Sequence, residues 1–259
     1  MCLLCSGGHC ILSYVKNVDE FFLLGETIDD APGEAFDKIA RRLKLKNLNL
    51  YQEMSGGQAI EEAATKAKNP NRYEFPLPLS RQRDCQFSFS GIKNTARRHI
   101  MKNEWELTLE PNQVIPHYED FCAGFLKGIA RHICHRTQRA IEYCEIEGLF
   151  KNQTEKNLVF SGGVACNDFL YTAITQMAEQ FGFRVVRPPR KYCTDNGVMI
   201  AWNGVEKWLA NKTNAKSNLD LDSISIQPKS PFGKKMINEV KDRNLKCKWA
   251  KIPLLKGEC

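Results

Sequence analysis

Two glycine turns of the same form could bind a phosphate group. Ser6-Gly7-Gly8 and Ser161-Gly162-Gly163 each follow a short apolar stretch that is typical of a buried strand. Glycines at the end of a strand let backbone N–H groups approach a phosphate, because no side chain stands in the way. The second turn also precedes a predicted helix, whose N-terminus favours an anion. One Gly-Gly pair mostly forms an ordinary turn, so it is the two turns together that predict a nucleotide cleft.

Carboxylates are grouped where the next helix is predicted to begin. Asp29, Asp30, Glu34 and Asp37 could bind ribose hydroxyls or contact a metal ion. Capping of that helix is the alternative interpretation, and it would account for Asp30. It accounts less well for Asp37, because Asp is unfavourable inside a helix.

His132 and His135 could chelate a metal ion from one predicted helix. Zinc-binding pairs on helices are more often four residues apart, with a third ligand nearby. Arg131 and Arg136 beside them indicate an ordinary exposed helix face, which is the interpretation we favour.

Two further pairs of residues that are close in the sequence could also bind a metal ion. Asp195-Asn196 lies directly before a predicted helix, where it is either the helix cap or a ligand. Cys2 and Cys5 are a close pair, but residues three apart in a strand point to opposite faces, so no metal clip is expected there. The sequence contains no Gly-x-x-x-x-Gly-Lys-Ser/Thr loop, no Gly-x-Gly-x-x-Gly fingerprint and no Gly-x-Ser-x-Gly nucleophile turn.

Strands and helices alternate along the chain and must position these residues. The apolar patterns predict strands at 2–5, 10–15, 23–26, 158–160 and 183–186. They predict helices at 34–44, 58–68, 92–102, 117–147, 167–181 and 197–209, with a long loop at 69–86. This alternation predicts an α/β fold.

Composition and charge exclude several classes of protein. Of 259 residues, 42% are hydrophobic and 26% are charged, which is globular usage and excludes a disordered or collagen-like chain. No apolar run reaches the roughly 18 to 20 residues of a membrane helix. Eleven scattered cysteines indicate small buried side chains in a reducing compartment. Residues 213–259 carry +5 of the net charge of +7, and this basic extension either suits a polyanion such as RNA or is simply solvated.

A series of motifs in order resembles one enzyme family. The motifs are Ser6-Gly7-Gly8-His9, Gly25-Glu26, Gly33 to Lys38, Gly56-Gly57, Phe87 to Lys93, Ser161 to Asn167 and Cys193 to Gly197. From residue 2 to about 210 the chain is similar to the tRNA N6-adenosine threonylcarbamoyltransferases, once called glycoproteases or O-sialoglycoprotein endopeptidases. The stretch from Thr194 to Gly204 and the short basic extension resemble the mitochondrial branch in particular.

The resemblance implies a fold and a truncation. The fold would be that of the actin, heat-shock and sugar-kinase ATPases, with two α/β lobes around a nucleotide cleft. The N-terminal lobe would be largely truncated, because family members carry about 100 further residues upstream, roughly one lobe. A glycine-turn hairpin that begins at residue 2 leads to the same expectation. We therefore expect an incomplete core at 1–212, followed by a basic C-terminal extension at 213–259.

The resemblance also implies an activity. The enzyme would transfer a threonylcarbamoyl group from threonylcarbamoyl-adenylate to N6 of the adenosine beside the anticodon, in tRNAs that read codons starting with A. Its partners would be tRNA and threonylcarbamoyl-adenylate, and the resemblance is compatible with a homodimer. The enzyme would be located in mitochondria and would not contact a membrane. The adenylate is already activated, so the enzyme would position the reactants and stabilise charge without a covalent nucleophile.

The resemblance and the glycine turns imply a set of residues that would bind the adenylate. These are Leu4, Cys5, Ser6, Gly7, Gly8, Asp37, Gly57, Glu61, Gly162, Gly163 and Asn167. By the resemblance, Asp195 would bind one divalent metal ion, with Fe, Zn and Mg as candidates, and an upstream His-x-x-x-His pair would supply further ligands. None of the five histidines here fits that pair, and a lone carboxylate is a poor metal site.

Two alternatives stay open. A kinase on the same fold would need an Asp placed to activate a substrate hydroxyl, and the ordered motifs argue against it. A catalytically inactive short form would bind a nucleotide or tRNA, lack the metal-binding His pair and transfer nothing. A protease is not supported, because the sequence has neither a His-Glu-x-x-His motif nor the signature of a catalytic triad.

Overall fold

The first strand lies in the middle of a six-stranded mixed sheet. In a computed structural model that describes residues 1–151, 153–210 and 233–256, the strands are β1 (Cys2–Cys5), β2 (Cys10–Asn17), β3 (Glu20–Glu26), β4 (Asn157–Ser161), β5 (Arg184–Val186) and β6 (Lys234–Lys235). Their order across the sheet is β5-β4-β1-β2-β3-β6. Strands β5, β4 and β1 run parallel, β2 and β3 continue antiparallel, and β6 pairs parallel to β3.

Eight helices accompany the sheet in the described parts of the chain. They are α1 (Pro32–Arg42), α2 (Gly56–Ala64), α3 (Ser90–Glu106), α4 (Tyr118–Ile146), α5 (Asp168–Ala178), α6 (Gly197–Leu209), α7 (Ile237–Asp242) and α8 (Pro253–Lys256). Each predicted strand and helix is present, with bounds within a few residues of the prediction. The α/β fold is therefore confirmed.

The sheet buries one face and leaves the other partly open. Leu3 and Cys5 are fully buried in the core, whereas Cys2 and Leu4 are half-buried on the opposite face. This alternation confirms that the two cysteines of β1 point to opposite faces. The 29-residue helix α4 lies at the centre of the core, and its Phe125 packs edge-on against Phe36 of α1 with ring centroids 5.8 Å apart.

Helix α4 also buries polar side chains, and the expectation of an exposed face at His132 and Arg136 is wrong. His132 accepts a hydrogen bond from the backbone N–H of Ser88 at 3.0 Å. The Arg136 guanidinium donates to the carbonyl oxygens of Gln82 at 3.2 Å and Asp84 at 2.9 Å. These bonds replace hydration, so α4 can bury both side chains while it anchors the long loop that precedes α3.

The described part of the basic extension packs on the core, although the sequence shows little periodicity there. Strand β6 extends the sheet, Val240 of α7 is fully buried, and Trp249 stacks on His135 with ring centroids 3.6 Å apart. Elements this short are held by tertiary contacts, which leave no periodic pattern in the sequence. The predicted boundary at 212–213 lies outside the described residues. No helix in the described ranges is long and apolar enough to cross a membrane.

Candidate functional site

A cleft opens where the carboxyl ends of β1 and β4 meet. The two strands are parallel neighbours, with Leu3 paired to Phe160 and Leu4 paired to Ser161, so the glycine turns after them lie side by side. The cleft has a volume of about 580 Å³. The predicted binding residues that line it are Gly7, Asp37, Gly57, Glu61, Gly163 and Asn167.

The other predicted binding residues are not among those that line the cleft, namely Leu4, Cys5, Ser6, Gly8 and Gly162. Leu4 and Cys5 belong to β1, the former half-buried and the latter fully buried. The Ser6 hydroxyl oxygen accepts hydrogen bonds from the backbone N–H groups of Gly8 and His9, at 3.3 and 3.0 Å. These bonds hold the shape of the turn from within.

Each glycine turn is packed against a second piece of backbone. Gly33 donates its N–H to the Ser6 carbonyl oxygen at 3.1 Å, and a Cβ on Gly33 would lie 2.8 Å from the Cα of Gly7. Gly162 has a φ of +93°, and a Cβ there would collide with the carbonyl oxygen of Cys5. A Cβ would collide with backbone at both positions, and at Gly162 the positive φ also disfavours any other residue. The two turns are therefore fixed relative to α1 and β1.

Two side chains at the cleft already accept hydrogen bonds from backbone N–H groups in the first turn of α5. Asn167 caps this helix, with its Oδ1 accepting a hydrogen bond from the N–H of Leu170 at 2.8 Å. Glu61 of α2 accepts from the N–H of Phe169 at 2.9 Å, and burial raises the pKa of this carboxyl group. The helix N-terminus thus binds an anion, as the second turn predicts, but the anion is a side chain of the same chain.

The side-chain amide nitrogen of Asn167 is an unused donor. This Nδ2 atom is buried and has no hydrogen-bond partner among the described residues, and Asn167 lines the cleft. A buried polar group without a partner costs about 1–3 kcal/mol. An acceptor oxygen of a ligand in the cleft would remove that cost.

The carboxylates grouped before α1 have separate partners. Asp29 accepts a hydrogen bond from the Ser88 hydroxyl at 2.5 Å, at the start of α3. Asp30 forms an ion pair with Lys93 on the same helix. The capping interpretation of Asp30 is wrong, because the residue at the cap of α1 is Ala31 and no side chain bonds there. Asp29 and Asp30 therefore anchor α3 rather than begin α1.

Asp37 is the member of this group that reaches the cleft. Its Oδ1 accepts a hydrogen bond from the N–H of Gly56 at 3.1 Å, where α2 begins. Glu34, by contrast, pairs with Lys38 one turn further along α1, at 2.6 Å. Asp37 thus joins α1 to α2 at the wall of the cleft.

Asp195 is not joined by further metal ligands among the residues that the structure describes. It is exposed, next to Thr194 of the cleft wall. Asn196 caps α6, with its Oδ1 accepting from the N–H of Met199 at 3.0 Å. In the parts of the chain that the structure describes, no group of three His, Cys, Asp or Glu side chains could hold a metal ion. A single exposed carboxylate does not meet the coordination needs of Fe, Zn or Mg, so these residues do not fit a resident metal ion.

A basic segment that the sequence patterns do not indicate lies at the mouth of the cleft. Arg190 and Lys191 line the cleft there. Arg187 donates to the Asp168 carboxylate at 2.8 Å and Arg190 pairs with the same carboxylate, which fastens this segment to the first turn of α5. In the sequence, the pattern in this segment is Pro188-Pro189, which indicates only that a strand ends there. The ion-pair partner lies 19 residues from Arg187, beyond any periodic pattern.

Comparison with known proteins gives the family. The TsaD family model, described as tRNA N6-adenosine threonylcarbamoyltransferase, matches residues 1–202. A Drosophila melanogaster protein described as a probable mitochondrial tRNA N6-adenosine threonylcarbamoyltransferase is 51% identical, over 96% of this chain and 61% of that protein. The Homo sapiens mitochondrial protein is 39% identical, over 99% of this chain and 59% of that protein. A Cereibacter sphaeroides tRNA N6-adenosine threonylcarbamoyltransferase is 38% identical, over 89% of this chain and 57% of that protein.

The chain spans about three fifths of the length of these curated relatives. Among solved structures, HypF of T. kodakarensis has a TM-score of 0.42 and 21% identity, over 71% of this chain and 21% of that chain, which is too low to support a shared fold. The TsaD domain has the actin-like ATPase fold, in agreement with the fold class expected from the motifs. Because the family model matches most of its residues, the chain belongs to the tRNA N6-adenosine threonylcarbamoyltransferase family.

Proposed function

We propose that this chain forms the adenylate-binding part of a threonylcarbamoyl transfer site. The donor would be threonylcarbamoyl-adenylate, and the acceptor would be N6 of the adenosine beside the anticodon in tRNAs that read codons starting with A. The observation that carries the proposal is the cleft that is lined by both glycine turns and by Asn167, whose buried Nδ2 has no hydrogen-bond partner among the described residues. Family membership supplies the class of reaction.

The cleft offers a place to each part of an adenylate. Gly7 and Gly163 present backbone without a side chain that would hinder a phosphate. Asp37 offers a carboxylate to ribose hydroxyls, and Asn167 offers an amide donor to an acceptor oxygen. Arg190 places a positive charge at the mouth, and both the adenylate and tRNA are anionic.

Transfer from a mixed anhydride needs positioning more than activation. The N6 amine attacks the carbamoyl carbon and a C–N bond forms. The C–O bond to the phosphate breaks, AMP leaves with that electron pair, and N6 loses one proton to solvent. N–H donors of the glycine turns would stabilise the charge that develops on the departing phosphate. Alignment of the two reactants supplies much of the remaining acceleration, and no covalent intermediate is part of the reaction.

Enzymes of this family are metal-dependent, but the described residues do not assemble a metal site. We propose that Asp195 supplies one ligand of a metal site whose other ligands come from outside the described residues.

We further propose that the chain acts on tRNA in mitochondria. The Drosophila and human relatives are named as mitochondrial proteins. The basic extension at 213–259 carries a net charge of +5, which would add attraction to RNA phosphates.

A transfer assay tests this proposal. The purified chain, with its folding checked by circular dichroism, is incubated with threonylcarbamoyl-adenylate and an unmodified tRNA. The reaction is run with and without the part of the Drosophila relative that lies outside the matched region. Mass spectrometry of the digested tRNA then detects the modified nucleoside. We expect product in the supplemented reaction, and none from a tRNA in which guanosine replaces the target adenosine. A folded chain that gives no product in either reaction would contradict the proposal.

A further inference from the structure

Helices α1 and α3 lie side by side, and ion pairs join them near both ends. Four cations share two carboxylates there, with Lys38 and Lys93 at Asp30 and with Arg42 and Lys44 at Glu104. Glu34 also pairs with Lys38, at 2.6 Å. The carboxylates at this seam remain fewer than the cations, so positive charge is left over between the two helices.

Three further arginines of these helices form no ion pair in the part of the chain that the structure describes. They are Arg41 on α1 and Arg97 and Arg98 on α3, and all three are exposed. Arg98 donates a hydrogen bond to the Thr95 hydroxyl at 3.2 Å, which does not compensate its charge. One exposed arginine is simply solvated, but neighbouring cations repel each other, and a bound anion relieves this repulsion.

Trp105 adds an aromatic ring to the same side of α3. It is 83% exposed and follows Arg98 by two helical turns, so the two side chains lie on one side of the helix. Met101, which is 46% exposed, lies between them. Arg41, Arg97, Arg98, Met101 and Trp105 form one surface, which we call the α1–α3 face. Cations beside an exposed ring are suited to unpaired nucleotides, because phosphates pair with the cations and a base stacks on the ring.

The α1–α3 face begins beside the cleft. Asp37 lines the cleft, and the next residue, Lys38, pairs with Asp30 at 3.7 Å. Gly33 of α1 bonds to Ser6 of the first glycine turn, so α1 begins at that turn. Helix α3 has 17 residues and is therefore about 25 Å long. A nucleotide held in the cleft would thus bring its neighbours in the same strand close to this face.

We propose that the α1–α3 face binds the anticodon arm of tRNA. Arg41, Arg97 and Arg98 would pair with phosphates, since the planar fork of a guanidinium group matches phosphate oxygens. Trp105 would stack on an unpaired base of the anticodon loop. The proposal rests on the proposed function, which makes tRNA the acceptor, and it assigns the surface that holds this acceptor.

Fluorescence anisotropy with labelled RNA tests this surface. The complete chain is titrated, without threonylcarbamoyl-adenylate, into an unmodified tRNA that reads codons starting with A and into its isolated anticodon stem-loop. Arg97→Glu and Arg98→Glu should each weaken binding of both RNAs by about fivefold or more. Each should also lower the slope of log K against log salt by about one, because one phosphate contact is lost.

Lys16→Glu is the matched control, because it makes the same change in net charge. Lys16 lies near the turn between β2 and β3, and its side chain is exposed. The whole of β3 separates that turn from Thr27, which bridges to Phe87 just ahead of α3. RNA affinity and salt slope should therefore match those of the wild type.

Trp105 is tested with RNAs that differ in unpaired bases. Trp105→Ala should weaken binding of the stem-loop by about tenfold with an unchanged salt slope, because stacking is not ionic. A fully paired RNA duplex should bind Trp105→Ala and the wild type equally. Trp105→Phe keeps a ring and should retain most of the affinity. Circular dichroism checks that each variant is folded.

Several results would overturn the proposal. A folded wild-type chain that binds neither RNA would have no such surface. Equal RNA affinities of the wild type and the arginine variants would place RNA elsewhere, and an equal loss in Lys16→Glu would reduce the effect to net charge. Vesicles of anionic phospholipid that bind the wild type but not Arg97→Glu, with RNA binding unchanged, would assign the face to a membrane. Unaltered binding in Trp105→Ala would exclude the stacking contact.

Failure of this proposal can be told apart from failure of the proposed function. RNA binding is measured without the donor, so a chain that binds tRNA through the α1–α3 face and transfers nothing would count against the proposed function alone. Transfer by Arg97→Glu and Arg98→Glu at wild-type tRNA affinity would count against the α1–α3 face alone. Calorimetric titration should give both variants the AMP affinity of the wild type, because neither residue lines the cleft.

Discussion

The Glu61 carboxylate accepts a hydrogen bond at 2.9 Å from the backbone N–H of Phe169, and this bond joins α2 to the first turn of α5. The contact lies at the cleft, because Glu61 lines it and Phe169 follows the capping residue Asn167 by two positions. Free N–H groups and the helix dipole both favour a carboxylate at this position. One charge-assisted bond therefore holds two parts of the cleft wall together.

Removal of the Glu61 side chain should destabilise the fold. Glu61→Ala leaves an N–H of α5 without its partner, and we expect the free energy of unfolding to fall by about 1–3 kcal/mol. Urea denaturation at pH 7 measures this. Glu62→Ala is the control, since Glu62 pairs only with Lys66 on the surface and its loss should cost less than about 1 kcal/mol. Equal losses in the two variants would show that the bond to α5 is not stabilising.

A methyl group at Gly33 should displace the first glycine turn. Its Cβ would lie 2.7 Å from the Ser6 carbonyl oxygen, which is backbone and cannot rotate away. We expect Gly33→Ala to weaken binding of AMP by about tenfold or more, and to lower the free energy of unfolding by about 1–3 kcal/mol. Calorimetric titration with AMP gives the affinity.

Gly91→Ala is the matched control for that substitution. Gly91 lies in the first turn of α3, and a Cβ there meets no atom within 4 Å. AMP affinity should be unchanged, and the free energy of unfolding should stay the same or rise by up to about 1 kcal/mol. Similar losses of AMP affinity in both glycine variants would refute the role of the Gly33 contact.

The two functions of Asn167 can be separated by one substitution. Ser is a good helix cap, so Asn167→Ser should change the free energy of unfolding by less than about 1 kcal/mol. It removes the buried Nδ2 donor, so we expect AMP affinity to fall by about tenfold. Asn196→Ser makes the same change at the cap of α6, outside the cleft wall, and should leave AMP affinity unchanged. Unaltered affinity in Asn167→Ser would exclude the amide from ligand binding.

His135 should make the fold sensitive to acid. Burial, together with the charges of Arg131 and Arg136, lowers the pKa of His135 from 6.5 to about 4. Between these pH values the unfolded chain binds a proton that the folded chain does not bind. The free energy of unfolding therefore falls as the pH falls from 6.5 towards 4. His135→Phe keeps a ring against Trp249 and removes this titration.

Urea denaturation at pH 7 and pH 5 measures the contribution of His135. Between these two pH values, the wild type should lose about 1 kcal/mol more of its free energy of unfolding than His135→Phe. Parallel pH profiles of the two proteins would contradict this assignment.

Strands β1 to β5, helices α1 to α6 and both glycine turns could be predicted because they depend on local chemistry. Alternation with period two places Leu3 and Cys5 on the core face of β1, and glycine at the end of a strand indicates a close approach of backbone. Five apolar strands and six amphipathic helices follow from such patterns.

Long-range side-chain partners could not be predicted in this way. Asp29 bonds to Ser88, 59 residues away, so its spacing suggested a site near α1 rather than an anchor for α3. Arg136 is buried because carbonyl groups more than 50 residues away accept its hydrogen bonds. A single charged residue in a sequence does not reveal such distant partners. The predicted roles of Asp29 and Arg136 therefore rest only on the residues adjacent to them in the sequence.

The parallel pairing of β1 with β4 has a consequence for synthesis of the chain. Leu3 pairs with Phe160, so one edge of β1 has no partner until β4 leaves the ribosome. At about 5–20 residues per second, that delay is roughly 8–30 s. A sheet formed from β1, β2 and β3 during this time would have an open edge that can pair with a foreign strand. The strand that precedes the first glycine turn is thus exposed to mispairing until β4 is made, and early engagement by a chaperone would protect it.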